Sequence, residues 1–136
     1  KITEINVAET VKEIRRAWVD AEVNYIDILD THATGTPKGD NEEAEAIYAL
    51  SSIKKIHNVT ALKGYFGHMM GASGVVELIA TIKNTDASNI FPIINKNVDC
   101  RVPNLVTSDS TIYPQNIIMK NNFGLGGVNT SLIIKT

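Results

Sequence analysis

The chain has 136 residues, of which 43% are hydrophobic and 21% charged, a composition that is typical of a globular domain and excludes a disordered tail. Thirteen basic and fifteen acidic residues give a formal charge of -2, so we expect neither nucleic acid nor an anionic membrane as a partner. The sequence also predicts a soluble cytoplasmic protein without a metal. It has a single cysteine, no spacing typical of a metal site, only short apolar runs and no signal-peptide pattern.

The first part of the chain is predicted to form a helix, a strand and a second helix. Residues 8–22 carry apolar side chains at three- and four-residue spacing, which indicates an amphipathic helix: Val11, Ile14, Ala17 and Trp18. A β-rich run at 25–30 leads into the polar loop 31–40, where glycine and proline break regular structure. Asp40 is the predicted N-cap of the second helix, with Glu43 completing a capping box.

A second strand and a third helix are predicted next. The basic stretch 54–58 is predicted to be an exposed loop, and we assign its His57 no role. Residues 59–68 read as a strand that runs into a glycine-rich turn, with a helix beginning near Gly71 or Ala72.

The third helix is predicted to lie in the core, and the rest of the chain to form a hairpin. Residues 74–84 are apolar nearly all round, which predicts burial on most sides. After a connector at 89–114, strand-like runs at 116–120 and 130–135 flank residues 121–129, which predicts a hairpin with an elaborate tip. The order of the elements predicts an α/β layer structure in one domain, residues 1–136.

Three glycine-containing loops follow strands, at 31–39, 63–74 and 121–129, and such loops can converge on one pocket. His32 and His68 are candidate neutral imidazoles that donate a hydrogen bond to a carbonyl becoming an enolate. The alternatives are a histidine satisfied by backbone groups for His32 and a polar residue at a helix entry for His68.

Other polar residues of these loops have a functional and a structural interpretation. Lys63 and Glu77 could meet behind the imidazoles and orient them if both are buried, although a lone lysine is more often solvated. Thr34 and Thr36 could bind a polar substrate arm, or their hydroxyls could form turns.

The glycines after Phe123 lack the lysine of a phosphate loop and the GxGxxG pattern, so nucleotide binding is weakly supported. Gly124 and its neighbours instead allow close approach of backbone to a substrate, with Phe123 as a gate whose N–H serves an oxyanion. The alternative is a core phenylalanine at a hairpin tip. Cys100, in a polar connector, is a poor nucleophile candidate.

Together, three segments resemble the C-terminal half of β-ketoacyl-acyl carrier protein synthases: THATGTPKGD at 31–40, KGYFGHMMGASG at 63–74 and NNFGLGGVN at 121–129. The resemblance implies a thiolase fold, in which two α/β halves form an αβαβα sandwich, and predicts one half here with a mixed sheet and packed helices. In this family a cysteine of the first half accepts an acyl chain, and malonyl carrier protein is decarboxylated to supply the attacking carbanion.

The resemblance also implies individual roles. His32 and His68 would bind the malonyl thioester carbonyl, with Lys63 as the active-site lysine and Glu77 as the acid of its ionic network. Thr34 and Thr36 would contact the phosphopantetheine arm, Gly124 is a further substrate-binding candidate, and Phe123 would be the gate. The implied partners are acyl carrier protein, the absent N-terminal half and a second copy in a homodimer, with no tightly bound cofactor.

Some positions depart from the family pattern. Many members have glycine where this chain has Ala33, whose methyl group would be strained if the position needs a positive φ. Asn122 stands where elongating enzymes of the family often have a serine. Its combination with Gly35 mixes features of fatty-acid synthases and polyketide synthases, so the substrate class stays open. The chain offers no nucleophilic cysteine and begins at Lys1, so we expect a piece of a longer enzyme.

Two alternatives remain at this stage. One is a non-catalytic carrier-protein-binding or structural module of the same fold, which the apolar helix at 74–82 disfavours unless a homodimer covers it. The other is thiolase-type chemistry on coenzyme A, which the threonine-rich loop after His32 disfavours.

Overall fold

The fold, a computed structural model, is described for residues 6–86, 89–94, 97–108, 110, 116–124 and 127–136. Leu125 and Gly126 of the predicted glycine loop, and Pro114 of the predicted connector, lie outside these residues. The helices in the described part are α1 (Val7–Asp20), α2 (Pro37–Ser51), α3 (Lys63–Phe66) and α4 (Ser73–Asp86), with a 3₁₀ turn at Met70–Ala72. The strands there are β1 (Tyr25–Ile26), β2 (Ile28–Asp30), β3 (Lys55–Ile56), β4 (Val59–Thr60), β5 (Ile117–Gly124) and β6 (Val128–Lys135).

The main sheet is mixed, as predicted, with the strand order β4-β2-β5-β6. β2 runs parallel to both β4 and β5, while β5 and β6 form an antiparallel hairpin. The register aligns Leu29 with Met119 and Asp30 with Lys120. β1 and β3 pair separately in parallel. The last residue of β2, Asp30, therefore lies beside Lys120 in the middle of β5, although about ninety residues separate them in the chain.

Helices cover both faces of this sheet. Leu29 and Met119 pack on one face with Trp18 of α1 and Ile47 of α2. Ile28 and Ile118 pack on the other face with Leu78 and Ile82 of α4. Because side chains alternate along a strand, Asp30 and Lys120 fall on the α4 face too. This layered arrangement confirms the predicted α/β class.

The start of α2 differs from the prediction. Its N-cap is Thr36, whose Oγ1 accepts the Gly39 N–H at 3.3 Å, and Pro37 occupies the first turn. Proline is favoured there because its fixed φ suits a helix and its missing N–H would have no partner. Asp40 instead accepts the Gly35 N–H, so the predicted capping box of Asp40 and Glu43 is wrong.

Two further segments were assigned wrongly from the sequence. β4 ends at Thr60 because its partner β2 ends at the paired Asp30, and residues 63–66 form α3 instead of continuing the strand. The stretch 54–58 contains β3 and is not an exposed loop. Its Asn58 is buried and donates to the Asp27 carbonyl, which holds the stretch against the core.

α4 is not buried on most sides. Its apolar residues Val75, Val76 and Ile79 are 61%, 37% and 54% exposed, whereas Glu77 and Thr81 are buried against the sheet. The helix turns this polar side inward because it packs over Asp30 of β2 and Lys120 of β5. Within the described residues, no helix has the length and apolarity that crossing a membrane requires.

The hairpin strands are longer than predicted. Pairing continues from Ile117 to Gly124, which faces Val128, so Asn121, Asn122 and Phe123 lie in β5 and the tip is short. The prediction ended the strand at the polar residues Asn121 and Asn122, but their backbone groups remain paired with β6 and the strand continues.

Candidate functional site

The three predicted loops converge on one cleft of about 970 Å³ beside the ends of β2 and β5. Six of the predicted site residues line it: His32, Thr34, Thr36, His68, Phe123 and Gly124. The other two, Lys63 and Glu77, are buried, and Glu77 contacts Lys120, which also lines the cleft. The structure thus brings together residues from three separate parts of the chain.

His32 lies two residues beyond Asp30, the last residue of β2, and is held through its backbone. The N–H groups of His32 and Ala33 donate to the Glu43 carboxylate at 2.9 and 2.7 Å. Burial raises the pKa of Glu43, and these two hydrogen bonds counteract the rise. Glu43 of α2 therefore fixes the loop that presents the imidazole.

Ala33 has a φ of +32°, so this position does have the positive φ at which an alanine methyl group is strained. An L-residue with a Cβ is disfavoured in this region, whereas glycine is not. The two Glu43 hydrogen bonds that span His32 and Ala33 offset part of this cost.

The His32 ring packs edge-on against two other rings of the cleft. Its centroid lies 5.7 Å from that of His68 and 5.5 Å from that of Phe123. Burial, together with the charges of Lys63 and Lys120, lowers the pKa of His32 to about 3. The ring is therefore neutral near pH 7. Its Nδ1 is buried and has no hydrogen-bond partner among the described residues.

His68 lies between Gly67, which has a φ of +71°, and the 3₁₀ turn before α4. The Met70 N–H donates to His68 Nδ1 at 3.1 Å, and Ser73 Oγ lies 3.2 Å from the same atom. Ser73 Oγ also accepts the Met69 N–H at 2.7 Å, so its own hydrogen is free to point at Nδ1. Nδ1 is thus an acceptor, and the neutral ring carries its proton on Nε2.

A buried ion network lies next to these imidazoles. Lys63 Nζ is 2.9 Å from Glu77 Oε1 and 3.0 Å from Oε2, so the predicted meeting of these two charges is confirmed. Both side chains are at most 6% exposed. Burial lowers the pKa of Lys63, and the hydrogen bond to Glu77 opposes that effect.

A second lysine, which the sequence motifs did not indicate, belongs to this network. Lys120 Nζ contacts Glu77 Oε2 at 2.5 Å, Asp30 Oδ1 at 3.2 Å and the Thr31 carbonyl at 2.8 Å. Burial raises the pKa of Asp30 to about 6, against the opposing effect of Lys120. Thr81 Oγ1 donates to the other Asp30 oxygen. Glu43 and Ser73 were also missed as supports of the two histidines.

Thr34, Thr36 and Phe123 make the contacts that a structural role predicts. Thr36 caps α2, and its Oγ1 lies 3.0 Å from Thr34 Oγ1, so the two hydroxyl groups are paired in the cleft. Phe123 is a buried strand residue that packs on His32. Their contacts with a substrate stay predictions.

The site offers two imidazole donors and buried lysines but no metal-binding cluster in the part of the chain that the structure describes. Two N–H donors facing one cleft suit the stabilisation of negative charge that develops on an oxygen during reaction. With a neutral ring, such a donor holds the oxygen without adding a formal charge.

The chain is similar to one family model and to several known proteins. Residues 1–97 match the family model described as Beta-ketoacyl synthase, C-terminal domain. The chain is 40% identical over 112 residues to 3-oxoacyl-[acyl-carrier-protein] synthase 1 of Buchnera aphidicola, covering 81% of this chain and 28% of the relative. It is 35% identical over 131 residues to the protein of the same name from Haemophilus influenzae, covering 94% of this chain and 31% of that protein.

Among solved structures, a beta-ketoacyl synthase from Burkholderia phymatum superposes with a TM-score of 0.86 at 27% identity, covering 99% of this chain and 34% of that chain. The architecture is thus a thiolase-like fold, as the motifs implied. The chain spans roughly a third or less of the length of each of these proteins.

Proposed function

The chain belongs to the β-ketoacyl synthase family, whose C-terminal domain it matches, and from this premise we propose that it supplies the two histidines and the lysine of a decarboxylative condensation. The reaction is that of a 3-oxoacyl-[acyl-carrier-protein] synthase in fatty acid or polyketide synthesis. The observation that carries the proposal is the pair of imidazoles, His32 and His68, with ring centroids 5.7 Å apart in one cleft.

In the proposed step, malonyl carrier protein binds with its thioester carbonyl near both rings. The bond to the malonyl carboxylate breaks, carbon dioxide leaves, and the electron pair forms an enolate whose oxygen accepts hydrogen bonds from His32 and His68. The nucleophilic carbon then attacks the acyl thioester on a cysteine, whose thiolate leaves. A neutral imidazole is suited to this task because it is a much weaker acid than imidazolium and does not quench the carbanion.

The buried lysine supports the neutral state of the first histidine. Burial is the main cause of the lowered pKa of His32, and the charge of Lys63 is the next. Glu77 holds that lysine in place through both carboxylate oxygens. We infer that Lys63 acts on the imidazoles mainly through its charge.

The substrate would arrive on a carrier protein. The names of the relatives contain acyl carrier protein. Thr34, Thr36 and Gly124 line the cleft and would contact the phosphopantetheine arm, with Phe123 as the gate. This chemistry would take place in the cytoplasm and would need no tightly bound cofactor.

The nucleophilic cysteine would come from a part of the enzyme outside this chain. Cys100 is exposed and is not among the residues that line the cleft. The exposed apolar face of α4, formed by Val75, Val76 and Ile79, is suited to packing against a Cys-bearing half. We propose that this half covers α4 and that the complete enzyme is a homodimer.

The buried charges favour an enzyme over a non-catalytic module of the same fold. Removing four ionised side chains from water is costly, and a purely structural core of similar volume is often as stable or more stable. Lys63, Glu77, Lys120 and Asp30 nevertheless cluster beside the two histidines.

The test is carbon dioxide release from malonyl carrier protein by this chain, alone and assembled with a Cys-bearing half. We expect release from the assembled protein, and its loss in His32→Ala and in His68→Ala. His57→Ala is the matched control, since His57 packs against Tyr25 and does not line the cleft. An unchanged rate in either cleft variant would contradict the proposed roles.

A further inference from the structure

Lys120 is a buried lysine to which neither the motifs nor the proposed reaction assigns a role. It lies in β5, its side chain is 1% exposed, and its ammonium group lies within hydrogen-bond distance of three oxygen atoms. Burying an ammonium group costs several kcal/mol unless such partners surround it. An apolar side chain would fill the same space at lower cost, so the charge needs its own explanation.

The three partners of Lys120 belong to the elements that carry the catalytic groups. Asp30 ends β2, Thr31 immediately precedes His32, and Glu77 lies on α4. Glu77 also binds Lys63 of α3. One ammonium group thus connects the loop that carries His32 with the carboxylate that holds the second lysine.

We propose that Lys120 is a positioning residue that fixes His32 and Lys63 relative to each other, and that it keeps the imidazole neutral through its charge. This inference rests on the condensation chemistry proposed above. Lys120 acts through the Thr31 carbonyl and Glu77, and it needs no contact of its own with the substrate.

Several ionisable groups surround His32. They come from every element packed against it: Lys63 of α3, Lys120 of β5, His68 of the loop before α4, Glu43 of α2, Glu77 of α4 and Asp30 of β2. Lys63, Lys120 and His68 oppose protonation of the ring. Loss of Lys120 is therefore expected to make His32 easier to protonate.

The variant must preserve the charge balance of the network. Lys120→Met alone would leave Asp30 and Glu77 with one lysine, and an uncompensated buried charge is by itself strongly destabilising. The double variant Lys120→Met/Asp30→Asn removes one positive and one negative charge together. Thr81→Val is the matched control, because it removes a buried hydrogen bond to Asp30 and leaves Lys120 in place.

The experiment uses the chain assembled with a Cys-bearing half, with isotope-labelled histidine in this chain only. The chain has three histidines, so the NMR titration of His32 can be followed after assignment with His→Gln variants. In the double variant we expect the His32 titration midpoint to move to higher pH and carbon dioxide release to fall by about 100-fold. The acid limb of the rate profile should move to higher pH with it, whereas Thr81→Val should titrate at His32 as the wild type does.

The outcomes separate this inference from the proposed function. An active wild type whose His32 midpoint and rate are unchanged in the double variant overturns the role of Lys120 and leaves the condensation intact. A wild type that releases no carbon dioxide overturns the condensation. In that case a raised His32 midpoint still supports the coupling of Lys120 to His32, and an unchanged midpoint overturns it.

Discussion

Acid should destabilise the folded chain through His32. The pKa of this ring is lowered from an ordinary 6.5 to about 3 by burial and by the neighbouring lysines. Between these two values the unfolded chain binds a proton at His32 and the folded chain does not. The free energy of unfolding therefore falls as the pH drops through this range. His32→Gln removes the titrating group and should remove this part of the acid sensitivity.

The size of the effect follows from the two pKa values. At pH 4.5, two units below the ordinary value of 6.5, the folded ring still binds almost no proton. Each unit is worth about 1.4 kcal/mol, so wild type should lose about 3 kcal/mol more than His32→Gln between pH 7.5 and pH 4.5. Asp30, whose pKa is raised to about 6, contributes with the opposite sign, but it is present in both proteins and cancels in the comparison.

Urea unfolding followed by the fluorescence of Trp18, the one tryptophan of the chain, measures this difference. Trp18 is 2% exposed and reports loss of the core between α1 and the sheet. Ile28→Val is the control, because it weakens the same strand by about 1 kcal/mol without removing a titrating group, so its cost should not depend on pH. If wild type and His32→Gln differ by the same free energy at every pH, the reasoning about His32 is refuted.

Three further changes test the supports of the site. Ala33→Gly should raise the free energy of unfolding by about 0.5–1 kcal/mol in thermal unfolding, because glycine relieves the φ of +32°; a loss of stability would contradict this. Ser73→Ala should cost about 1–3 kcal/mol and lower carbon dioxide release, because His68 Nδ1 and the Met69 N–H lose a partner; an unchanged rate would show that Ser73 does not orient His68. Gly74→Ala should cost about 1–3 kcal/mol, because its Cβ would lie 2.9 Å from the Asn122 amide, and a double-mutant cycle with Asn122→Ala should recover part of it; strict additivity would exclude this contact.

Local sequence was sufficient to find the histidines and the lysine because their loops are built from local signals. Glycine and proline end the regular elements around His32 and His68, and strand ends in an α/β fold meet at one edge of the sheet. Lys63 and Glu77 could be predicted to meet because they flank the His68 loop and are only fourteen residues apart in the chain. The class of the fold followed from the order of the elements.

Lys120 and Glu43 escaped prediction because their roles depend on long-range geometry. Lys120 meets Asp30 only through the parallel register of β5 and β2, across ninety residues of chain. Glu43 satisfied a local capping pattern, yet the helix began earlier at Pro37, which left its carboxylate free to reach the His32 loop. The available signal was a charged residue directly after an apolar run: Asp30 follows Ile28 and Leu29, and Lys120 follows residues 117–119.

The exposed face of α4 and the electrostatics of the cleft have one structural cause. Asp30 of β2 and Lys120 of β5 lie on the α4 face, so α4 must turn Glu77 and Thr81 inward and Val75 and Ile79 outward. Val75 belongs to the exposed face and also lines the cleft. A partner that covers α4 therefore also removes water from the edge of the cleft, and charges interact more strongly where water is excluded. In the assembled protein the lysines should then oppose protonation of the His32 imidazole more strongly than they do in the chain alone, so assembly itself favours the neutral imidazole that the condensation requires.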